Sequence, residues 1–589
     1  MRLQQLYALL GCTCLATVTA KIEDFDWGTI TPSKQLEYTP CYENLQCARL
    51  TVPLDWLDET NPHTVDIAIT KRPAQVADDD PAFGGTIFIN PGGPGVSGVS
   101  FLLEYGQQLH NVVDGKRRYE LLTWDPRGVG FTSPKADCFG DVSARDIADL
   151  QRMAIGPLDS SEDVLRRQWA WAQAYGELCT SNVTNNSIIP YLTTPSVVRD
   201  MVEMLDKVHE LRDGKKFIKL TGNDDEQARL KRGNADVPRI QYWGFSYGSF
   251  LGNTFASMYP GRVGRLINDG ILNADDYAAG EWLENLQDTE EIVKSFYESC
   301  FEAGNECTLN KPSDTKWEDL QQRVDDFVAR ANIAPIPTVH GTQITLVTGT
   351  EILGAFRRPI YQPLDGFKRL GELLSNALQG NHTLLLEDIS AASPNLRNDI
   401  CGSPNSSTIE TLTWDALQGI FCGDGDDATQ LGFSYFKSYI KELIGQSKTL
   451  GASWAKMRFN CAGWAIRPKW RFTGPFTTPK PDTSIIEGRP AAPLLFLTTR
   501  LDPVTPLRNA VAMAANHPEA AWVVQESWGH TTLAAPSRCI KHIIQEYLES
   551  GIVPESGTSC KPDCGPWNPC DQDMSGDIAG YGGLSKWFV

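Results

Sequence analysis

Ile240-Gln241-Tyr242-Trp243-Gly244-Phe245-Ser246-Tyr247-Gly248-Ser249-Phe250-Leu251-Gly252 is the stretch on which the fold turns. Its first four residues form a short β-rich run, and 250–258 reads as a helix. Between them Gly244-Phe245-Ser246-Tyr247-Gly248 fits G-x-S-x-G. A strand entering and a helix leaving make the strand–turn–helix that holds a serine on a tight elbow. The two glycines are needed because such a turn crowds the backbone on both sides. An ordinary tight turn with an exposed serine would show the same five letters, so the context carries the reading.

Outward from that elbow the same alternation recurs. Residues 48–54 and 64–70 read as two strands joined by a polar turn. Residues 86–90 and 119–124 are compact apolar strands, the first running into Asn90-Pro91-Gly92-Gly93-Pro94-Gly95. Residues 194–211 carry apolar side chains at helical spacing, and 265–270 is a further strand with its exit. The polar run 221–236 reads as an exposed loop. Residues 277–450 are mostly amphipathic and helical, as in 287–303, 315–331, 365–379 and 433–446. Strands return at 492–498 and 521–525, before a last helix over 539–550. Strands alternating with helices predict an α/β fold, a mostly parallel sheet covered on both faces. The helical stretch reads as a large insertion into it.

Composition narrows the function classes. The chain has 589 residues, 41% of them hydrophobic, which is enough to bury a core. Its 53 basic and 73 acidic residues leave a net charge of −20, which repels phosphate backbones and argues against nucleic acid. A short basic start, an apolar run over 6–18 and the small residues Thr19 and Ala20 read as a secretory signal over residues 1–20. That run is too short to span a bilayer, and no later stretch reaches about 18 consecutive apolar residues. The expected location is extracellular. Fifteen cysteines, less Cys12 and Cys14 in the signal, leave thirteen. Cys41–Cys47 and Cys300–Cys307 suit small disulfide loops, and Cys539–Cys560 would tie the last helix to the strand or loop after it. Connectivity is not fixed by spacing, and an odd count leaves one thiol over. Cys560, Cys564 and Cys570 have loose zinc-like spacing without a histidine nearby, which disfavours a metal site. Sequons at Asn182, Asn185, Asn381 and Asn405 fit a glycosylated, exported chain.

A serine hydroxyl needs an adjacent base. Of eight histidines, seven stand in early segments, the insertion, a turn or a helix. His530, in Trp528-Gly529-His530-Thr531-Thr532, comes after the last strand and precedes the last helix. Asp502, in Leu501-Asp502-Pro503-Val504-Thr505-Pro506, comes after the strand 492–498 and is the candidate for orienting that base. The order Ser246…Asp502…His530 is that of α/β hydrolases. Donors for a developing oxyanion are the backbone N–H of Tyr247 and one from the glycine loop, Gly92 or Gly93, between which the residues do not choose. The loop lacks the GK[ST] ending of a phosphate-binding loop. Asp125-Pro126-Arg127-Gly128 is expected to lock its turn through a local ion pair. Gly423-Asp424-Gly425-Asp426-Asp427 lacks the twelfth-position Glu of a calcium loop and reads as a solvated acidic turn.

With these pieces in place the chain resembles secreted α/β-hydrolase peptidases of family S33, in the tripeptidyl-aminopeptidase-like branch. The resemblance rests on Cys47-Ala48-Arg49-Leu50-Thr51-Val52-Pro53-Leu54-Asp55, NPGGPGVSG at 90–98, DPRGVGFTSP at 125–134 and GFSYGSFLG at 244–252. It continues through Asp269-Gly270, FRRPIYQP at 356–363, Cys461-Ala462-Gly463-Trp464, RLDPVTP at 500–506 and GHTTL at 529–533. It implies a triad of Ser246, Asp502 and His530, no metal or organic cofactor, and cleavage of short peptides from the N-terminus. The neighbouring proline iminopeptidases carry a histidine-led glycine loop where this chain has Asn90-Pro91, which weakens any expectation of proline specificity. An aminopeptidase would hold the substrate ammonium with cap carboxylates, for which Asp275, Asp276, Glu281 and Glu351 are the candidates. The expected division is a signal over 1–20, core over 21–276, helical cap over 277–480, a C-terminal core part over 481–560 and an extended tail over 561–589. The expected substrate is a short peptide. The rivals are an esterase or a small-metabolite ester, amide or lactone hydrolase on the same fold, and a non-catalytic binding protein.

Overall fold

Along Thr86–Asn90 successive side chains point to opposite sides of the strand. Ile87 and Ile89 enter one apolar cluster, and Phe88 enters another. The same split sends Trp243 and Phe245 one way and Tyr242 the other. Strands buried on both faces read as unbroken apolar runs, which is why these segments stood out in sequence.

In a computed structural model of the chain, which describes residues 25–184, 186–213, 237–340, 343–392, 412–568 and 570, these strands join one ten-stranded sheet. Its members are β1 (Thr39–Cys41), β2 (Leu45–Pro53), β3 (Thr64–Arg72), β4 (Phe83–Asn90), β5 (Arg118–Trp124), β6 (Ile240–Phe245), β7 (Val263–Asp269), β10 (Leu495–Leu501), β11 (Ala521–Trp528) and β12 (Thr558–Cys560). A separate hairpin pairs β8 (Ile336–His340) with β9 (Gln343–Val347). The sheet order is β1-β2-β3-β5-β4-β6-β7-β10-β11-β12. From β5 to β12 every pairing is parallel, and β1, β2 and β3 add antiparallel strands at one edge. The helices Gly98–Val113 and Arg538–Ser550 pack on one face of the sheet. Thr194–Asp213 and Tyr247–Met258 pack on the other. This is the α/β-hydrolase arrangement, and the sheet's strand ends after β6, β10 and β11 carry the three expected residues.

The helical stretch shares one continuous core with the second face: Phe296, Phe367, Ile420 and Phe436 cluster with Tyr242, Phe250 and Leu266. It differs from expectation in three ways. The hairpin β8–β9 interrupts it. The helices Val142–Ile155 and Glu162–Ser181, unread in the sequence, belong with it, for Trp169 packs on Phe433, Phe436 and Phe459. Their buried face mixes Leu165, Gln168, Ala172, Tyr175, Gly176 and Cys179, too polar and small to stand out as an apolar stripe. Third, Asp424 is not solvated but buried, and only Asp426 and Asp427 of that turn reach solvent.

The Asp125–Arg127 expectation is also corrected. Arg127 pairs with Asp200, at 2.5 and 2.8 Å, and donates to the carbonyls of Pro53 and Leu54. Asp125 instead accepts from Ser97 Oγ and from the backbone of Val99 and Phe131. Among the described residues six disulfides form: Cys41–Cys47, Cys138–Cys179, Cys300–Cys307, Cys422–Cys461, Cys539–Cys560 and Cys564–Cys570. The three cysteines with zinc-like spacing are therefore disulfide sulfurs. The signal segment, Asn185, the loop 221–236, Cys401, Asn405 and the tail beyond 570 lie outside the described residues. Among the described residues no helix is long and apolar enough to cross a membrane.

Candidate active site

Ser246 sits between β6 and its helix with φ 55° and ψ −122°, a left-handed conformation that costs a non-glycine residue free energy. The crowding expected of the elbow is present. A Cβ on Gly244 would lie 2.4 Å from the Gly248 carbonyl oxygen, and one on Gly248 would lie 2.7 Å from that of Asn90. Only glycine fits either place. Ser246 is partly exposed while the residues flanking it are buried.

Asp502 and His530 stand at the ends of β10 and β11 and are both fully buried. His530 Nδ1 lies 2.9 Å from each Asp502 oxygen. A carboxylate only accepts, so this contact sets Nδ1 as the proton-bearing nitrogen and Nε2 as the unprotonated one. Asp502 is itself fixed by N–H donors from Val504, Thr505 and Thr531. Between β6 and β10 runs β7, and its last residue joins the two sides. The Asp269 carbonyl accepts from Ser246 N at 2.9 Å, while its carboxylate takes Thr532 N at 2.8 Å and Thr532 Oγ1 at 2.5 Å. Burial pushes the Asp269 carboxyl up to about 7. Gly270 completes the seam, for a Cβ there would touch Thr531, Thr505 and His530. Sequence reasoning met Asp269 only as part of a family motif. Its position at a strand end beside a glycine was the available signal.

The glycine loop lies against the elbow. A Cβ on Gly92 would come 3.0 Å from both Ser246 Cβ and Tyr247 N. The Gly92 N–H donates to Asn90 Oδ1 at 3.0 Å, so the side chain of Asn90 uses it. Among the described residues the amides of Gly93 and Tyr247 make no hydrogen bond.

Each of these loops is also held from the cap side. Thr413 N donates to the Gly95 carbonyl, and Thr413 Oγ1 accepts from Gly130 N. Asn285 and Thr289 donate to the carbonyls of Val504 and Pro503, both at 2.7 Å. The Tyr361 carbonyl accepts from His530 N, and its ring stands edge-on to the imidazole at 5.4 Å. Behind the elbow, Tyr247 Oη meets Thr194 Oγ1, and Asp424 accepts from Thr194 and Tyr277.

The four carboxylates expected to hold an ammonium have different surroundings. Glu351 caps its own helix through Thr348 N and Oγ1. Asp276 accepts from the amides of Leu283 and Glu284, and burial raises it to about 6. Asp275 and Glu281 are exposed. Of the other histidines, His110 and His517 are buried, and desolvation pushes both down to about 4.

This geometry meets its relatives in sequence. Residues 447–560 match the family described as TAP-like protein. The chain is 25% identical over 582 residues to serine protease Hip1 of Mycobacterium tuberculosis, covering 94% of this chain and 95% of that protein. It is 22% identical over 531 residues to the tripeptidyl aminopeptidase of Streptomyces lividans, covering 89% and 84%. The chain is an α/β serine hydrolase. Among solved structures it is similar to epoxide hydrolase A of Mycobacterium thermoresistibile at 13% identity and a TM-score of 0.28, covering 86% of this chain and 100% of that one. In this hydrolase the matched segment supplies β10, β11 and the helix Arg538–Ser550, and with them both Asp502 and His530.

Proposed function

We propose that this hydrolase is a secreted serine exopeptidase that removes short peptides or single residues from substrate N-termini through an acyl-enzyme. The observation that carries the reading is the buried Asp502–His530 pair, joined at Nδ1 beside the strand end that holds Ser246 on its left-handed elbow. Ser246 Oγ attacks the scissile carbonyl carbon as its proton passes to His530 Nε2. Asp502 keeps the imidazole in that tautomer and offsets its charge once protonated. The oxyanion takes the amides of Tyr247 and Gly93, since the Gly92 amide is engaged by Asn90. Collapse breaks the C–N bond, His530 protonates the departing amine, and water repeats the steps in reverse to free the acyl group. The similarity to a serine protease and a tripeptidyl aminopeptidase favours peptides over other acyl substrates.

Export fits the six disulfides and the basic-apolar start of the chain. Of the described sequons, Asn381 is exposed with Thr383 Oγ1 on its Oδ1 at 2.8 Å, whereas Asn182 donates its Nδ2 to the Cys138 carbonyl. Asn381 is the better glycan acceptor. The test is a panel of aminoacyl and tripeptidyl amides against acyl esters, with wild type and Ser246→Ala. Amide turnover that vanishes in the variant, together with fluorophosphonate labelling of Ser246, is expected. Turnover of esters alone would make it an esterase, and full activity in Ser246→Ala would sink the triad.

A further inference from the structure

The two amides assigned to the oxyanion come from different segments, the glycine loop and the elbow. These segments touch: a Cβ on Gly92 would lie 2.4 Å from the Phe245 carbonyl oxygen and 3.0 Å from Tyr247 N. One cap helix, Trp414–Asp424, grips both, one from each end. At its start Leu412 forms a β-bridge with Val96, and Thr413 N donates to the Gly95 carbonyl at 2.9 Å. Thr413 Oγ1 accepts from Gly130 N at 3.1 Å. Leu417 closes on Gly95, where a Cβ would lie 3.0 Å from the leucine Cβ. At the other end Asp424 accepts from Thr194 N at 2.9 Å and from Thr194 Oγ1 at 2.6 Å. The one proton of that hydroxyl is thereby committed, so its oxygen accepts from Tyr247 Oη, 2.6 Å away. Tyr277 Oη gives Asp424 a further bond at 3.2 Å. Asp424, Thr194, Tyr247 and Tyr277 are all buried.

The helix between these two grips is itself held along its length. In its first turn the buried Asp415 accepts from Arg145 at 2.5 and 2.8 Å, and from Tyr175 Oη and Cys138 N at 2.6 Å each. In its last turn Cys422 is bonded to Cys461, Arg467 donates to the Cys422 carbonyl and Arg471 to that of Asp424. Gly419 and Gly423 let the helix lie flat on the residues just before Thr194. A Cβ on Gly419 would lie 2.7 Å from Leu192 Cδ1, and one on Gly423 would lie 2.8 Å from Thr193 Cγ2. Covering a site calls only for an apolar underside, and a buried carboxylate costs free energy unless it is bonded. This helix buries one at each end and bonds both. Oxyanion donors work by being aimed beforehand at the place where charge develops. A rigid rod held at both ends fixes the spacing of the two segments that carry those donors.

We propose that the helix Trp414–Asp424 positions the oxyanion hole from both ends, through Thr413 on the glycine loop and through Asp424 and Thr194 on Tyr247. The assignment rests on the reading of Ser246 as nucleophile. Thr413 and Asp424 are positioning residues in it, since they act through other groups. The experiment measures how fast an alkyl fluorophosphonate labels full-length wild type, Asp424→Asn, Tyr247→Phe and Thr413→Val. In that reaction Ser246 Oγ displaces fluoride from phosphorus, its proton passes to His530, and the phosphoryl oxygen takes the same donors as a peptide oxyanion. Each variant should label about tenfold more slowly, short of the loss of about a hundredfold or more that follows deletion of a donor. The midpoint of the pH profile of labelling should stay in place, because Asp502 and His530 keep their contacts. Asp424→Asn and Tyr247→Phe break one chain of hydrogen bonds, so the double variant should be no slower than Asp424→Asn, whereas adding Thr413→Val should slow it further. Wild-type rates in folded variants overturn the proposal, and so does a shifted pH midpoint, which would place the damage at the base. A loss that disappears well below each variant's melting transition means a structural role and overturns it too. Tyr247→Phe leaves the Thr194–Asp424 bonds intact, and it decides the matter by itself where Asp424→Asn does not fold. An unlabelled wild type would remove the Ser246 reading and this proposal with it, whereas a labelled wild type with unchanged variants removes the proposal alone.

Discussion

Asp269 touches the nucleophile through its backbone and the base loop through its side chain, so one residue sets the distance between two others. Its carboxyl is raised to about 7 mainly by burial, against about 3.9 in an unfolded chain. Between those values the folded protein holds a proton that the unfolded one has released, so this group's contribution to stability falls as pH rises through that window. His110 and His517, held neutral by burial down to about 4, slope the other way, so the group must be isolated by comparison. The melting temperature of Asp269→Asn relative to wild type should therefore climb between about pH 4.5 and about pH 7.5. A flat difference would show that Asp269 stays ionised throughout. Asp502→Asn should keep the fold and lower kcat by about four orders of magnitude, because the amide favours the wrong imidazole tautomer. A loss of only a few-fold in a steady-state assay would remove Asp502 from the triad.

At the scale of elements, the cap behaves as a clamp. It bonds to the glycine loop through Thr413, to the acid loop through Asn285 and Thr289, and to the base loop through Tyr361. The helix Glu162–Ser181 packs backbone to backbone on residues 461–463. A Cβ on Gly176 would lie 1.8 Å from the Gly463 carbonyl oxygen. Gly176→Ala should accordingly cost about 1–3 kcal/mol or more in a urea titration, through overpacking rather than lost contacts. No change in midpoint would mean that the two backbones part freely. The strands were legible because β-branched and aromatic runs end at Pro91, Gly244 or Pro503. The proposed triad could be read because Ser246, Asp502 and His530 each follow such a run. Arg127 and Asp200 could not, since 73 residues separate them and only the sheet's crossover brings them together. Nor does spacing reveal local duties such as the helix capping of Glu351.

Across the whole molecule, disulfides reinforce the cap more than the sheet. Cys138–Cys179 and Cys422–Cys461 close separations of 41 and 39 residues, and each has at least one end in a cap helix. Replacing Cys422 and Cys461 together by serine should lower stability by about 2–4 kcal/mol in chemical unfolding. An unchanged transition would show that packing alone holds the cap. The sequence divides the chain into a core and a cap over 277–480, whereas the helices that pack with that stretch come from chain both before and after Ser246. That split has a consequence for the order in which the molecule is made. A domain made from its N-terminus completes what it can as it emerges. A chain grown only to residue 490 would carry the elbow, the glycine loop and most of the cap, but neither Asp502 nor His530. On the proposed triad, the serine then stands without its acid and its base until the loops after β10 and β11 have been made.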